Sequence, residues 1–389
     1  MSDGGVAVAA RTTTSEGVLR AVEDLSPSIG ARAAEIEAAR RMPRDILDDL
    51  IDAGCFRLLL PESHGGASAD ASTSLAVIEA LARADASTAW IVMIGSGAWL
   101  DLAGLPRATF DALFTDDAIV AGVFNPAGSI EPGDDGYHVT GRWSFASGCE
   151  HASVIYGNCL EGVVDGVPQL RIAVFRPEDV VIEDTWRVSG LQGTGSHHFH
   201  VDDVVVPVEH TTAPLADEPS IDTPIVRIPP PTLFPLMIAS VALGIAQGAL
   251  DDIVDLAQEK VPLLAGGPLA TSPLFQSELA DAATELRAAR GLLHDTAAAV
   301  WATAVDRSPY TLEQRAEARS AAVWATERAV AIVDFAYRSG GGSSIYAESP
   351  LQRRLRDVHA VTQHFLVKRE TLVTAGAIFA RQDVDVMVF

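Results

Sequence analysis

Between about Ala118 and Thr211 the chain changes texture, and this most constrains its fold. Val, Ile, Thr and aromatic residues gather there in short runs separated by Gly, Pro and Asp clusters. YHVTGRWSF, SVIYGNCL, LRIAVF and FHVDDVVV each fit a strand. The flanking segments have helical periodicity instead. From about Val18 to Phe114, Pro43 suits a first helical turn, with Ile46, Leu47, Leu50 and Ile51 following at helical spacing. After a break at PESHGG (61–66), Leu75, Ile78, Leu81 and Ala82 share one face of a run from Ser74 to Ala84. Beyond Pro231, past the linker IPPPT (228–232), four stretches fit long helices: Thr232–Glu259, Ser272–Val305, Leu312–Gly340 and Pro350–Ala380. Joined by short links, they predict a four-helix bundle. The expected organisation is an N-terminal helical domain over 1–117, a central β-barrel-like domain over 118–227 and a C-terminal bundle over 228–389. No internal repeat or low-complexity tract interrupts it.

Composition narrows the partners. A net charge of −24 repels phosphate backbones and anionic lipid, which argues against nucleic-acid and membrane-surface roles. Cys55, Cys149 and Cys159 lack metal-ligand spacing, and three thiols suit a reducing compartment rather than a disulfide framework. The opening MSDGGVAVAARTTTSEG fits a frayed leader without a cleavage signal. The apolar run PLMIASVALGIAQGAL (235–250) is shorter than the roughly 20 residues of a spanning helix and suits a buried core helix. The expectation is a soluble, cytoplasmic protein.

Three runs then point to a family: GRWSFASGCEHAS (141–153), WRVSGLQGTGSHHFHVDDVVVP (186–207) and GGGSSIYAESPLQRRLRDVHAVTQH (340–364). With MPRDILDDLIDAG (42–54) they resemble the flavin-dependent monooxygenase branch of the acyl-CoA dehydrogenase superfamily. That branch includes para-hydroxyphenylacetate hydroxylases, steroid-degrading hydroxylases and dibenzothiophene monooxygenases. The resemblance implies the acyl-CoA dehydrogenase fold and an oxygenase fed reduced flavin, FADH2 or FMNH2, by a separate reductase. It also implies O2 as co-substrate, a C4a-hydroperoxyflavin, a small aromatic or polycyclic substrate and a homotetramer.

The same resemblance assigns roles. Ser147 would place its hydroxyl beside flavin N5, although a Ser before Gly also fits a strand-end turn. Phe145 and Trp90 would pack on the isoalloxazine, or simply in the core. Ala146 would contribute alongside them. Phe124 and Asn125, in a turn AGVFNPAG, would touch the flavin edge, while an Asn before Pro126 also suits turn capping. Gly342, Ser343 and Ser344 would approach a flavin phosphate or ribityl chain across a subunit boundary, although a GGG between helices also serves as a flexible link. His364, at the edge of the buried face marked by Leu355, Val358, Val361 and Phe365, would manage a proton near the reacting oxygen. His359, on the same expected helix, is second choice. His197 and His198 shape the pocket or face solvent.

A dehydrogenase needs a carboxylate to take an acyl α-proton. Matching RDVHAVTQHFLV to the corresponding dehydrogenase helix puts Phe365 where the catalytic Glu stands. No acid occurs between Asp222 and Asp251, where some relatives carry that Glu instead. EKVPLL (259–264) departs from the family's Arg-Lys-x-Phe-Gly run, which implies a weaker hold on the cofactor. Competing expectations are a dehydrogenase-like enzyme with a relocated base, such as Glu348 or Glu370, and a silent oligomeric scaffold.

Overall fold

The computed structural model describes residues 14–214 and 216–384. Most of the expected leader lies outside the described residues. Its last part does not fray: Thr14 accepts the Gly17 amide and starts α1 (Ser15–Ala31). Helices α2 (Ala33–Ala39), α3 (Arg44–Asp52), α4 (Ala71–Ala84), α5 (Ala86–Gly97) and α6 (Arg107–Leu113) follow. Asp70 and Asp85 cap α4 and α5, accepting the Thr73 and Thr88 amides at 2.7 Å each. Such a cap is worth about 1 kcal/mol. The α4 helix packs on the bundle, and α5 lies between the bundle and the sheet, so α5 is buried almost all round.

Seven strands form one sheet: β1 (Val120–Gly133), β2 (Gly136–Ala146), β3 (Val154–Val164), β4 (Val167–Phe175), β5 (Val181–Glu183), β6 (His197–Val206) and β7 (Thr211–Thr212). The order is β5-β6-β2-β1-β3-β4-β7. Its end strands β5 and β7 do not pair, so the sheet is open rather than closed into a barrel. All pairings are antiparallel except β1 with β3. The segment AGVFNPAG, expected as a turn, belongs to β1 instead. Its register against β3 shifts between Val123 and Gly128, a bulge that accommodates Pro126. Fully buried Trp143 centres the sheet's own core and stacks on Phe199 at 4.9 Å. Gly128, Gly141 and Gly157 make room for it: a Cβ at any of them would lie 2.4 or 2.5 Å from the indole.

After α7 (Pro224–Arg227) comes the bundle: α8 (Pro230–Glu259), α9 (Pro273–Val305), α10 (Leu312–Gly340), α11 (Pro350–Val361) and α12 (Leu372–Phe379). At 30 residues, α8 is long and apolar enough to cross a membrane, but 89% of its apolar window is buried within the protein. Its small residues permit close approach: a Cβ on Gly244 would sit 2.4 Å from the Glu79 carbonyl of α4.

The fourth long helix does not run unbroken to Ala380. It stops at Val361, and residues 362–371 form turns before α12. Local side-chain bonds replace the helical ladder there. Thr362 Oγ1 donates to the His359 carbonyl at 2.7 Å, and His364 Nδ1 accepts the Leu366 amide at 3.3 Å. Phe365 preserves the apolar spacing beyond the break, but it is 62% exposed and marks no buried face.

Candidate active site

Ser147 directly follows β2, where Gly148 turns the chain at φ 73°. Its buried hydroxyl sits in a chain of polar contacts. Trp90 Nε1 donates to Ser147 Oγ at 3.1 Å, and Ser147 Oγ meets Ser196 Oγ at 2.8 Å. Ser196 Oγ meets Thr194 Oγ1 at 2.7 Å, which donates to the Leu191 carbonyl at 2.8 Å. Three elements thus converge: α5 brings Trp90, the end of β2 brings Ser147, and the turn before β6 brings Thr194 and Ser196. Sequence reasoning missed the last two, although they stand in the GTGS run. Only the fold reveals that this run faces Ser147.

Trp90 also reaches the bundle. Its ring lies 5.8 Å from His364, which stacks on Phe365 at 5.0 Å. His364 is not on α11 but caps the turn that follows it. The Leu366 amide bonded to Nδ1 puts the neutral ring's proton on Nε2, so His364 is a donor through Nε2. Burial, reinforced by Arg319, pushes its pKa down to about 4. Arg319, buried on α10, donates to the Pro231 carbonyl at 3.0 Å. A charged residue in an Ala-rich helix gave no sign of facing this site. His359 stays on α11, in a groove of about 410 Å³ against α10, paired with Asp334 at 3.1 Å. The two histidines, expected on one helix, occupy different surroundings.

The aromatic candidates divide. Trp90 is buried, whereas Phe145 and Phe124 are 68% and 43% exposed. Strands β1 and β2 pair with each other from Gly128–Gly141 toward their hairpin, so Phe124, exposed Asn125 and Phe145 lie where the two strands have parted, β1 to β3 and β2 to β6. Phe145 sits where β2 slips against β6, at φ 68°, a conformation costly for a bulky residue. Ala146 is fully buried in the sheet core. His197 is buried and structural: Nδ1 accepts the Thr185 and Trp186 amides at 3.2 Å each. His198 lies near Phe145, ring to ring at 6.2 Å.

In the glycine-rich loop, Gly342 has open space around it. Ser344 does not serve as expected: its amide donates to Gly341 and its hydroxyl to the Tyr337 carbonyl, so both donors are used internally. Ser343 Oγ and the Gly340 carbonyl accept from Lys260 Nζ at 2.8 and 2.7 Å. Lys260, in the segment expected to signal a weaker cofactor grip, instead brings a cation to this loop.

Among the described residues, no carboxylate stands in for the missing base. Glu348 and Glu370 are exposed. The first acids of α8 are engaged elsewhere, Asp251 with Arg83 and Asp252 with Arg354. Cys55, Cys149 and Cys159 are free but buried, and burial pushes each thiol up to about 12, which keeps them protonated near neutrality.

Comparison with known proteins agrees with this geometry. Residues 19–104 match the acyl-CoA dehydrogenase N-terminal domain, and residues 236–369 match the acyl-CoA dehydrogenase C-terminal domain. An indole-3-acetate monooxygenase from Pseudomonas putida is 31% identical over 90% of each chain. The flavin-dependent monooxygenase oxygenase subunit HsaA from Rhodococcus jostii is 33% identical over 89% of this chain and 93% of its own. The structure of XiaF from a Streptomyces species, in complex with FADH2 and glycerol, superposes with a TM-score of 0.88. It is 25% identical and covers 95% of this chain and 96% of XiaF. The class is therefore that of acyl-CoA dehydrogenase-fold proteins. Within it, the chain belongs to the flavin-dependent monooxygenase family.

Proposed function

We propose that this chain is the oxygenase component of a two-component system that hydroxylates a small aromatic substrate. Reduced flavin comes from a separate reductase and O2 from solution. The observation that carries this reading is the pairing of an intact Trp90–Ser147–Ser196 chain with Phe365 in the place of a base. The site can hold a flavin ring but offers no carboxylate to take an acyl proton.

The residues present fit a flavin. The exposed Phe124 and Phe145 rings leave apolar surface in water that a flat heteroaromatic ring would cover. Ser147 Oγ would bond a ring nitrogen, Asn125 the ring edge, and the Ala146 backbone would lie alongside. Lys260 and the amides near Gly342 suit a phosphate, and the FADH2 bound by XiaF supports FAD over FMN. When bound, reduced flavin supplies the two electrons that let O2 give one oxygen atom to substrate and the other to water. His364 would donate through Nε2 toward the reacting oxygen, and Trp90 would fix the relation between His364 and Ser147. Exposed Ile345 and Tyr346 beside the glycine loop support a homotetramer; a monomer by light scattering that still hydroxylates would contradict that assembly.

The test supplies reduced flavin, isotope-labelled O2 and a panel of phenols and indoles, and reads label in the product. Bleaching of bound oxidised flavin by an acyl-CoA would reverse the assignment. Ser147→Ala should fold normally but divert turnover toward hydrogen peroxide. Losing one hydrogen bond costs about 1 kcal/mol, or up to roughly tenfold in that partition. An unchanged product-to-peroxide ratio would leave Ser147 as a turn residue only.

A further inference from the structure

The turn that carries Thr194 and Ser196 is anchored by a buried carboxylate of the bundle. Asp357, on α11 and 5% exposed, accepts the Leu191 amide at 2.7 Å. The anchoring is close: a Cβ on Gly190 would lie 2.2 Å from the Arg356 carbonyl, and Arg356 donates to the Ser189 carbonyl at 2.7 Å. Leu191 itself takes a left-handed conformation, φ 53°, which a Leu holds only when its surroundings impose it. Its carbonyl then accepts from both Trp186 Nε1 at 3.0 Å and Thr194 Oγ1 at 2.8 Å, the start of the hydroxyl chain to Ser147. The other end of that chain also rests on a buried acid. Asp85 caps α5, which carries Trp90.

We propose that Asp357 is a positioning residue: by holding the Leu191 amide it fixes the 190–196 turn, and through Thr194 and Ser196 it sets where the Ser147 hydroxyl points. Its relevance to flavin rests on the function proposed above; its effect on the turn does not. Asp85 on the cap of α5, Glu37 on α2, and Arg353, Arg354 and Arg356 on α11 make up the charged surroundings. Burial dominates: it pushes Asp357 up to about 7, the Leu191 amide pulls down, Asp85 and Glu37 push up, and Arg353 pulls down. Burial likewise raises Asp85.

A carboxyl whose pKa is raised by burial favours the closed, protonated state; opening the turn admits water and lowers that pKa. Rising pH therefore favours opening, by up to about tenfold per unit from the ordinary carboxyl value near 3.8 up to about 7, and levels off above it. Asp357→Asn keeps a carbonyl acceptor for Leu191 but cannot ionise. Asp357→Leu removes the acceptor and leaves a buried amide unpaired.

Hydrogen exchange of the 186–197 peptide in the full chain, corrected for intrinsic exchange, tests this below about pH 6 and above about pH 8. Anaerobic reduced-FAD affinity is measured on the same samples. Wild type should lose protection on going to high pH, by roughly tenfold or more, and affinity should fall with it. Asp357→Asn should keep low-pH wild-type protection at both pH values. The affinity ratio of wild type to this variant cancels titration of the flavin itself. Asp357→Leu should be loosened at both; if it fails to fold, the wild-type and Asn arms still decide. Parallel pH responses in wild type and Asp357→Asn, or wild-type protection in a folded Asp357→Leu, would overturn the proposal. The expected exchange pattern in a chain that binds no reduced flavin would uphold the turn mechanism and reject the flavin reading instead.

Discussion

Replacing His364 with alanine is expected to lower product formed per reduced flavin by about 10²–10⁴, while reduced flavin still binds and still reacts with O2. The ring lies against Trp90, donates through Nε2, and has no second imidazole beside it to take over, since His359 points into a separate groove. Phe365 offers no polar atom. A residue that only packed there would behave differently: Tm would drop while yield per folded molecule held. His359→Ala, which removes only an exposed pair with Asp334, is the control and should leave the yield essentially unchanged. Equal yields for His364→Ala and wild type would end the assignment. The pH behaviour adds a second check. With the ring neutral down to about pH 4, His364 should impose no acid limb on the yield near neutrality. Its lowered pKa also means that the unfolded chain binds a proton the folded chain refuses. Stability should therefore fall as pH drops from about 6.5 toward about 4, and His364→Ala should flatten part of that decline.

The second large effect concerns Trp143. Removing its indole should cost about 3–5 kcal/mol of unfolding free energy, measured by denaturant titration. The ring is fully buried, stacks on Phe199, and donates to the Asn158 carbonyl at 2.7 Å. The three glycines around it cannot close the cavity, because the space they leave has the shape of an indole. Trp143→Phe should cost less, since mainly the ring size and one hydrogen bond are lost. A loss below about 1 kcal/mol for Trp143→Ala would show that the sheet core does not depend on this ring.

The helical stretches and most strands were legible because burial repeats along them with a fixed period. The polar site was only partly legible. Ser147 and His364 stand out within their motifs, but Ser196, Arg319 and Lys260 act through neighbours far away in sequence, and Thr194 acts through Ser196, which a linear pattern does not display. The errors also have physical causes. Phe124 and Asn125 resembled a turn because Pro126 breaks a strand's hydrogen bonding, yet a bulge absorbs it. The spacing of Phe365 predicts that helix α11 continues, while Thr362 and His364 bond to nearby backbone and end it. Ser344, expected against a flavin phosphate or ribityl chain, donates its hydroxyl to the Tyr337 carbonyl instead.

That break after Val361 bears on how such a site changes over generations. The segment 362–371 is held between two helix ends instead of being threaded through the bundle. A residue inserted in an uninterrupted helix would rotate everything beyond it by about 100° and misplace a whole packed face. An insertion or deletion here is taken up by turns, so the surroundings of His364 and Phe365 can be resized while α8, α9 and α10 keep their registry. New substrate preferences in this chain's lineage should accordingly be found as length variation in this segment, with the helices on either side left alone.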